Sequence, residues 1–251
     1  MKQSRITWAR TQICSTILLL ITLPLFVAAS DVYSEMYIGG QIGTSVIGNS
    51  LTDVELNDFS PTGTMSDREL SRSILLGGKV GYYFPGVRWF GLETEVSYTT
   101  PHIKQQNTGV TVPPGAVLQG FGPVCGIIVC GVTVEGVLGG DHFRVITWVP
   151  VNVMFRYHKM RLQPYVGVGL GVFFARVHTT AAGFEGSQGD ITVGLNAKAG
   201  LEYYITKHLS AFGEWKYNRA SFSFDSNSSG AFGFDADYHV HFVAMGLNFH
   251  F

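Results

Sequence analysis

The chain ends on an unbroken alternation. Val243, Met245, Leu247, Phe249 and Phe251 are apolar, while Ala244, Gly246, Asn248 and His250 between them are small or polar. A repeat of two puts one kind of residue on each face of a β-strand, so this stretch is a strand with one greasy side. It is too regular for a fraying tail. Such a strand exposes hydrogen-bonding groups along both edges, and satisfying both points to a sheet closed on itself.

Seven earlier segments carry the same repeat, and no helical period competes with it beyond the amino-terminal region. They cover residues 36–46, 73–84, 89–99, 142–157, 162–177, 191–205 and 209–222. The clearest sets Ile191, Val193, Leu195, Ala197, Ala199, Leu201 and Tyr203 against Thr192, Asn196, Lys198, Gly200 and Glu202. Residues 142–157 set Phe143, Val145, Val149, Val151, Val153 and Phe155 against Arg144, Asn152 and Arg156. Pro150 falls inside that strand; proline cannot donate to the ladder, so a local bulge is expected there.

The connections alternate in length. Those at 85–88, 158–161 and 206–208 are tight, and those at 47–72, 100–141, 178–190 and 223–237 are long. This predicts an all-β fold, an eight-stranded antiparallel transmembrane β-barrel with long extracellular loops and short periplasmic turns. In hydrocarbon every backbone N–H and C=O must pair internally, which only a sheet without edges achieves. The ions lie on the face opposite the apolar one, so the apolar face looks out into lipid.

The ions facing inward nearly balance: Lys79, Arg144, Lys198 and Lys216 against Glu93, Glu95, Glu202 and Glu214. An eight-stranded barrel has an interior that side chains fill, so these residues are expected to form a buried ion-pair network that plugs the lumen. The competing reading is a proton or ion path. Tyr82, Tyr98, Tyr157, Tyr203, Trp215 and Tyr217 fall near strand ends on the lipid face, as an interfacial girdle would. Only 14% of residues are charged and the formal net charge is -1, which argues against a nucleic-acid partner. A monomer is expected.

Residues 1–30 read as a signal peptide and 31–251 as the barrel domain. Lys2, Arg5 and Arg10 precede an apolar run at 17–29 broken by Pro24, and Ala28, Ala29 and Ser30 supply small residues for cleavage. An uncleaved anchor would need roughly 20 apolar residues. Cys14 lies before the apolar run and lacks the context of a lipid anchor. Cleavage leaves Cys125 and Cys130, for which a disulfide is the natural expectation in an oxidising compartment and two free thiols the alternative.

The ending Gly246-Leu247-Asn248-Phe249-His250-Phe251 resembles the C-terminal assembly signal of bacterial outer-membrane proteins, carried by Gly246, Phe249 and Phe251. Residues 163–171 (QPYVGVGLG) and 211–217 (AFGEWKY) resemble hairpin signatures of small outer-membrane barrels. Together they resemble the eight-stranded outer-membrane barrel family of the OmpA-barrel, OmpX and opacity-protein type. The resemblance implies the bacterial outer membrane, contact with its lipid and insertion by the barrel-assembly machinery. Members of that family serve as adhesins, envelope stabilisers, small pores and lipid-modifying enzymes. The expectation is a non-enzymatic, cofactor-free barrel with a structural or surface-interaction role through its long loops, toward an external ligand or host surface. The alternative is a narrow channel for small or apolar solutes, and a lipid-modifying enzyme comes third.

Three features bear on chemistry. His208-Leu209-Ser210 has the spacing of a lipid-deacylating pair, but it lies at a short turn with Ser210 facing the lumen, away from outer-leaflet substrate. His239 and His241 share a strand face near Asp235 and Asp237; the alternatives are a metal site or pH-sensitive rim and, as the simpler account, an interfacial pair. Residues 110–140 are Gly-rich, apolar and almost uncharged, suiting either a partner or membrane contact or an extra hairpin over the barrel mouth.

Overall fold

The computed structural model describes residues 35–46, 50–56, 59–60, 62–65, 67–101, 106–111, 113, 117–118, 122–123, 133–138, 142–179, 186–225 and 234–251. Cys125 and Cys130 lie outside the described residues, as does the amino-terminal segment. Among those described, eight long strands make the barrel: β1 Glu35–Ser45, β2 Ile74–Tyr83, β3 Phe90–Thr99, β4 His142–Arg156, β5 Leu162–Thr179, β6 Gly186–Tyr204, β7 Leu209–Phe224 and β8 Phe234–His250.

Each strand pairs antiparallel with its neighbour in the chain, and β8 returns to pair with β1 from Tyr37↔His250 to Ser45↔Phe242. The last link is a backbone bond from Phe251 N to Met36 O at 2.9 Å. Closure therefore satisfies both edges of the terminal strand. The outward face is apolar, with Ile38, Ile74, Leu170, Ile191, Val193 and Met245 each more than half exposed. That is the face a hydrocarbon solvent selects, because the opposite face carries the ions.

The strands differ in length. β5 has 18 residues, β6 19, β7 16 and β8 17. A tilted strand needs only about 9–11 residues to cross the hydrocarbon, so this wall of the barrel overhangs the bilayer. The overhang takes in much of what spacing assigned to connections: β5 runs on to Thr179 and β6 begins at Gly186, while β8 begins at Phe234. The sheet also continues beyond β1. Ser50–Leu56 pairs with the upper part of β8 and Gly63–Met65 pairs with Ser50–Leu56. Gly63–Met65 in turn pairs with Gln106–Thr111, which forms a hairpin with Thr133–Leu138. The region 110–140 thus supplies part of an extra hairpin, one of the two arrangements its composition allowed.

β4 departs from the simple alternation in an informative way. Its pairing steps from Val149↔Glu95 to Asn152↔Glu93 on one side and from Trp148↔Val172 to Val151↔Leu170 on the other. Two residues on β4 thus oppose one on each neighbour, a bulge around Pro150. One extra residue inverts the faces. Past the bulge Phe143, Val145, Thr147 and Val149 face inward and are buried, while Arg144 and Ile146 face out. Reading Phe143, Val145 and Val149 as lipid-facing is corrected here, and so is reading Arg144 as a lumen residue. Pro150 marks the bulge, and the one inserted residue shifts the parity of β4 from there back to its start.

Candidate functional site in the lumen

The lumen is filled in tiers. At mid-height Lys79 on β2, Glu93 and Glu95 on β3, Lys198 on β6, and Glu214 and Lys216 on β7 point to the axis, each at most 4% exposed. They form a closed ring of alternating charge. Lys79 lies 3.9 Å from Glu93 and 3.2 Å from Glu214, and Lys216 lies 3.1 Å from Glu214. Lys198 bridges Glu93 and Glu95, and Lys216 bridges on to Glu95. Three ammonium groups thus meet three carboxylates, so the ring is neutral.

Each carboxylate also accepts from a neutral donor. Tyr37 Oη donates to Glu93 at 2.6 Å, Gln41 Nε2 to Glu95 at 2.9 Å and Tyr165 Oη to Glu214 at 2.7 Å. Lys79 Nζ sits 3.4 Å from the centre of the Phe212 ring, a cation–π contact in a desolvated place. Buried charges persist only when paired and hydrogen-bonded, and this ring meets both conditions. The tyrosines reach it because glycine lies beside them. Tyr165 opposes Gly200 across the ladder, and a Cβ on Gly200 would stand 2.6 Å from the Tyr165 ring. Gly81 plays the same part for Tyr37.

Glu202 belongs to a separate cluster at the turn end. It accepts from Ser210 Oγ at 2.5 Å and from Asn248 Nδ2 at 2.6 Å, and it lies 3.2 Å from His250 Nε2. His250 Nε2 also lies 2.9 Å from Ser210 Oγ. Arg156, Glu35 and Tyr204 complete the cluster, with Arg156 and Tyr204 both bonded to Glu35. Of the eight charges expected in one network, six form the ring, Glu202 joins this floor and Arg144 lies outside both. The floor partners His250, Tyr204 and Glu35 come from three different strands, so no local spacing announced them; only strand order places them together.

Toward the loop end the interior turns apolar. Tyr238 is the hub, its ring 5.9 Å from Phe143, 6.4 Å from Phe173 and 5.7 Å from Phe222, centre to centre. Val145, Ala175, Val177, Phe224, Val240 and Phe242 pack around it. Between this tier and the ring lie Asn152, Asn196 and Asn218, the last two joined by an amide hydrogen bond of 2.6 Å.

The other candidate chemistry disperses. The His208 ring nitrogen Nδ1 faces the His250 carbonyl at 3.1 Å rather than Ser210, and Ser210 is fully buried. On the outer face of β7 and β8, His239 Nδ1 meets Tyr217 Oη at 2.9 Å, and His241 stacks on Trp215 and Tyr217. This is an aromatic rim at the end of the apolar band. Among the described residues no group of three His, Cys, Asp or Glu side chains is arranged to hold a metal ion.

A closed eight-stranded sheet with an apolar exterior and an ion-paired lumen defines the class: a small β-barrel of the bacterial outer membrane. The chain belongs to the outer membrane protein beta-barrel domain family, which it matches over residues 15–251. No curated protein matches it in sequence. Among solved structures it is similar to the outer membrane protein OprG from Pseudomonas aeruginosa, at 14% identity and a TM-score of 0.54, over 87% of this chain and 96% of that one. It is similar too to the outer membrane protein AlkL, at 13% identity and a TM-score of 0.48, over 90% of this chain and 94% of that one. The outer membrane protease OmpT from Escherichia coli aligns at 8% identity and a TM-score of 0.47, over 90% of this chain and 99% of that one. The likeness to OprG is one of fold.

Proposed function

We propose that this barrel is a non-enzymatic surface-interaction protein, anchored by a plugged lumen and binding external molecules through the sheet that projects from its loop end. The observation that carries this reading is the closed ring of three lysines and three glutamates across the lumen. Its charges neutralise one another and are almost fully buried, which supports a rigid support rather than an aqueous pore. The projecting pairings of Ser50–Leu56, Gly63–Met65 and the Gln106–Thr111/Thr133–Leu138 hairpin supply the presenting surface.

Whole cells or reconstituted protein are tested against host-cell and matrix surfaces, with and without residues 106–138. Binding lost on deletion, with a barrel that still shifts on boiling in a gel, is the expected result. Binding that survives deletion removes the loop assignment. Reproducible conductance in planar bilayers that falls on mutating Glu93 or Lys198 overturns the plugged lumen. Altered lipid A after overexpression would contradict the non-enzymatic reading.

The aromatic tier favours a second reading, entry of apolar solutes at the loop end. Because the ring stands below that tier, such solutes would leave sideways into the bilayer. Uptake of an apolar dye into proteoliposomes, slowed by Phe173→Asp and unaffected by Lys159→Gln, is the discriminating measurement.

A further inference from the structure

The bulge in β4 has an effect on the outside of the barrel as well as the inside. It turns Arg144 outward, directly across the ladder from Arg176 on β5. Both are exposed, and residues opposed in this way have Cα atoms only about 4.5–5.5 Å apart. Like charges placed so are unfavourable, and among the described residues no acidic side chain pairs with either. The Arg144 side chain makes no hydrogen bond or ion pair among the described residues. The Arg176 Nε donates to Ser187 Oγ at 2.9 Å, a neutral partner. Arg219, the outward arginine of β7, differs in having Asp237 at 3.5 Å.

Depth along the wall identifies what can neutralise the pair. Directly below it on the same two strands stand lipid-facing Ile146 and Phe174, each a single outward position from an arginine. The pair therefore sits where the apolar band ends, at headgroup level, and not on a loop tip. With the start of β1 and the end of β8 at the turn end, as a barrel inserted from the periplasm has them, this rim meets the outer leaflet. A guanidinium presents a rigid fork of donors suited to phosphate, and two side by side can share one phosphate.

We propose that Arg144 and Arg176 form a binding site for the phosphate group of an outer-leaflet lipid. The phosphate supplies the charge missing between the two guanidiniums, while the lipid's acyl chains lie along the apolar wall beneath. The site rests on the outer-membrane location and not on any reading of the loops or lumen.

The full-length barrel, purified in a neutral detergent, is titrated with diphosphorylated lipid A and with enzymatically dephosphorylated lipid A, and retained lipid is counted by native mass spectrometry. The phosphorylated form is expected to be held about tenfold more strongly. Arg144→Gln with Arg176→Gln should abolish that preference, whereas Lys159→Gln with Arg161→Gln at the turn end should leave it intact. Gel mobility before and after boiling checks that each variant is folded. Should the glutamine variant not fold, Arg144→Lys with Arg176→Lys, which keeps the charge and loses the fork, is expected to weaken the preference without abolishing it. Equal retention of the two lipids, or an unchanged preference in the folded double variant, overturns the proposal. Displacement of the lipid by millimolar inorganic phosphate would also overturn it, showing a free-anion site instead.

Discussion

Replacing Lys198 by methionine tests the lumen ring where it is most exposed to failure. Lys198 stands between Glu93 and Glu95 and bridges both. Its loss leaves the buried ring with two cations, three carboxylates and a charge of -1. Glu93 keeps Tyr37 at 2.6 Å and a distant Lys79 at 3.9 Å; Glu95 keeps Lys216 and Gln41. At an effective dielectric near 20 each lost pair is worth about 4 kcal/mol gross. Uptake of a proton or entry of water recovers part of this, so the net cost falls in the range of about 3–5 kcal/mol found when one partner of a buried pair is removed. With a urea dependence of about 2 kcal/mol per molar, the unfolding midpoint drops by about 2 M. Tryptophan fluorescence and gel mobility across a urea series in detergent measure it. Adding Glu93→Gln restores the balance of charge and should recover about half of the loss. A Lys198→Met midpoint equal to wild type, or a double variant no better than the single one, would refute the ring as a coupled electrostatic unit.

Other consequences follow from packing and closure. Gly200→Val drives a side chain into Tyr165 and should destabilise the barrel by about 1–3 kcal/mol, whereas Gly213→Val, with open space around it, should leave the urea midpoint in place. Removing Phe251 deletes the closing bond to Met36 and the terminal aromatic; outer-membrane levels should fall, and normal levels would count against the assembly-signal reading. Cysteine at position 146 should react with a lipid-soluble maleimide while cysteine at 145 stays protected. The opposite pattern would remove the bulge and with it the outward placement of Arg144.

Much of the fold was legible because strands report their environment with a period of two. Ile191 through Tyr203 alternates with Thr192 through Glu202 whatever the neighbouring strands do, and lipid outside forces that contrast. The lumen charges Lys79, Glu93, Glu95, Lys198, Glu214 and Lys216 were legible for the same reason, since ions at the depth of the hydrocarbon face inward. Parity, however, is a running count. A single inserted residue near Pro150 reversed it for Phe143, Arg144 and Val145, and no local property of those residues records the reversal.

By itself the sequence determined that the chain closes on itself, which face meets lipid and where its polar side chains gather. Those are consequences of solvent and periodicity acting strand by strand. Tertiary structure alone decided who meets whom. Register across β2, β3, β6 and β7 turns six scattered charges into one neutral ring, and β1, β4, β6, β7 and β8 converge on the floor around His250 and Glu202. The bulge in β4 adds Phe143 to the aromatic tier at the loop end and turns Arg144 to the outside, across from Arg176. Contacts of this kind join residues 135 and 169 positions apart, and only the shear and closure of the sheet set the distance between them.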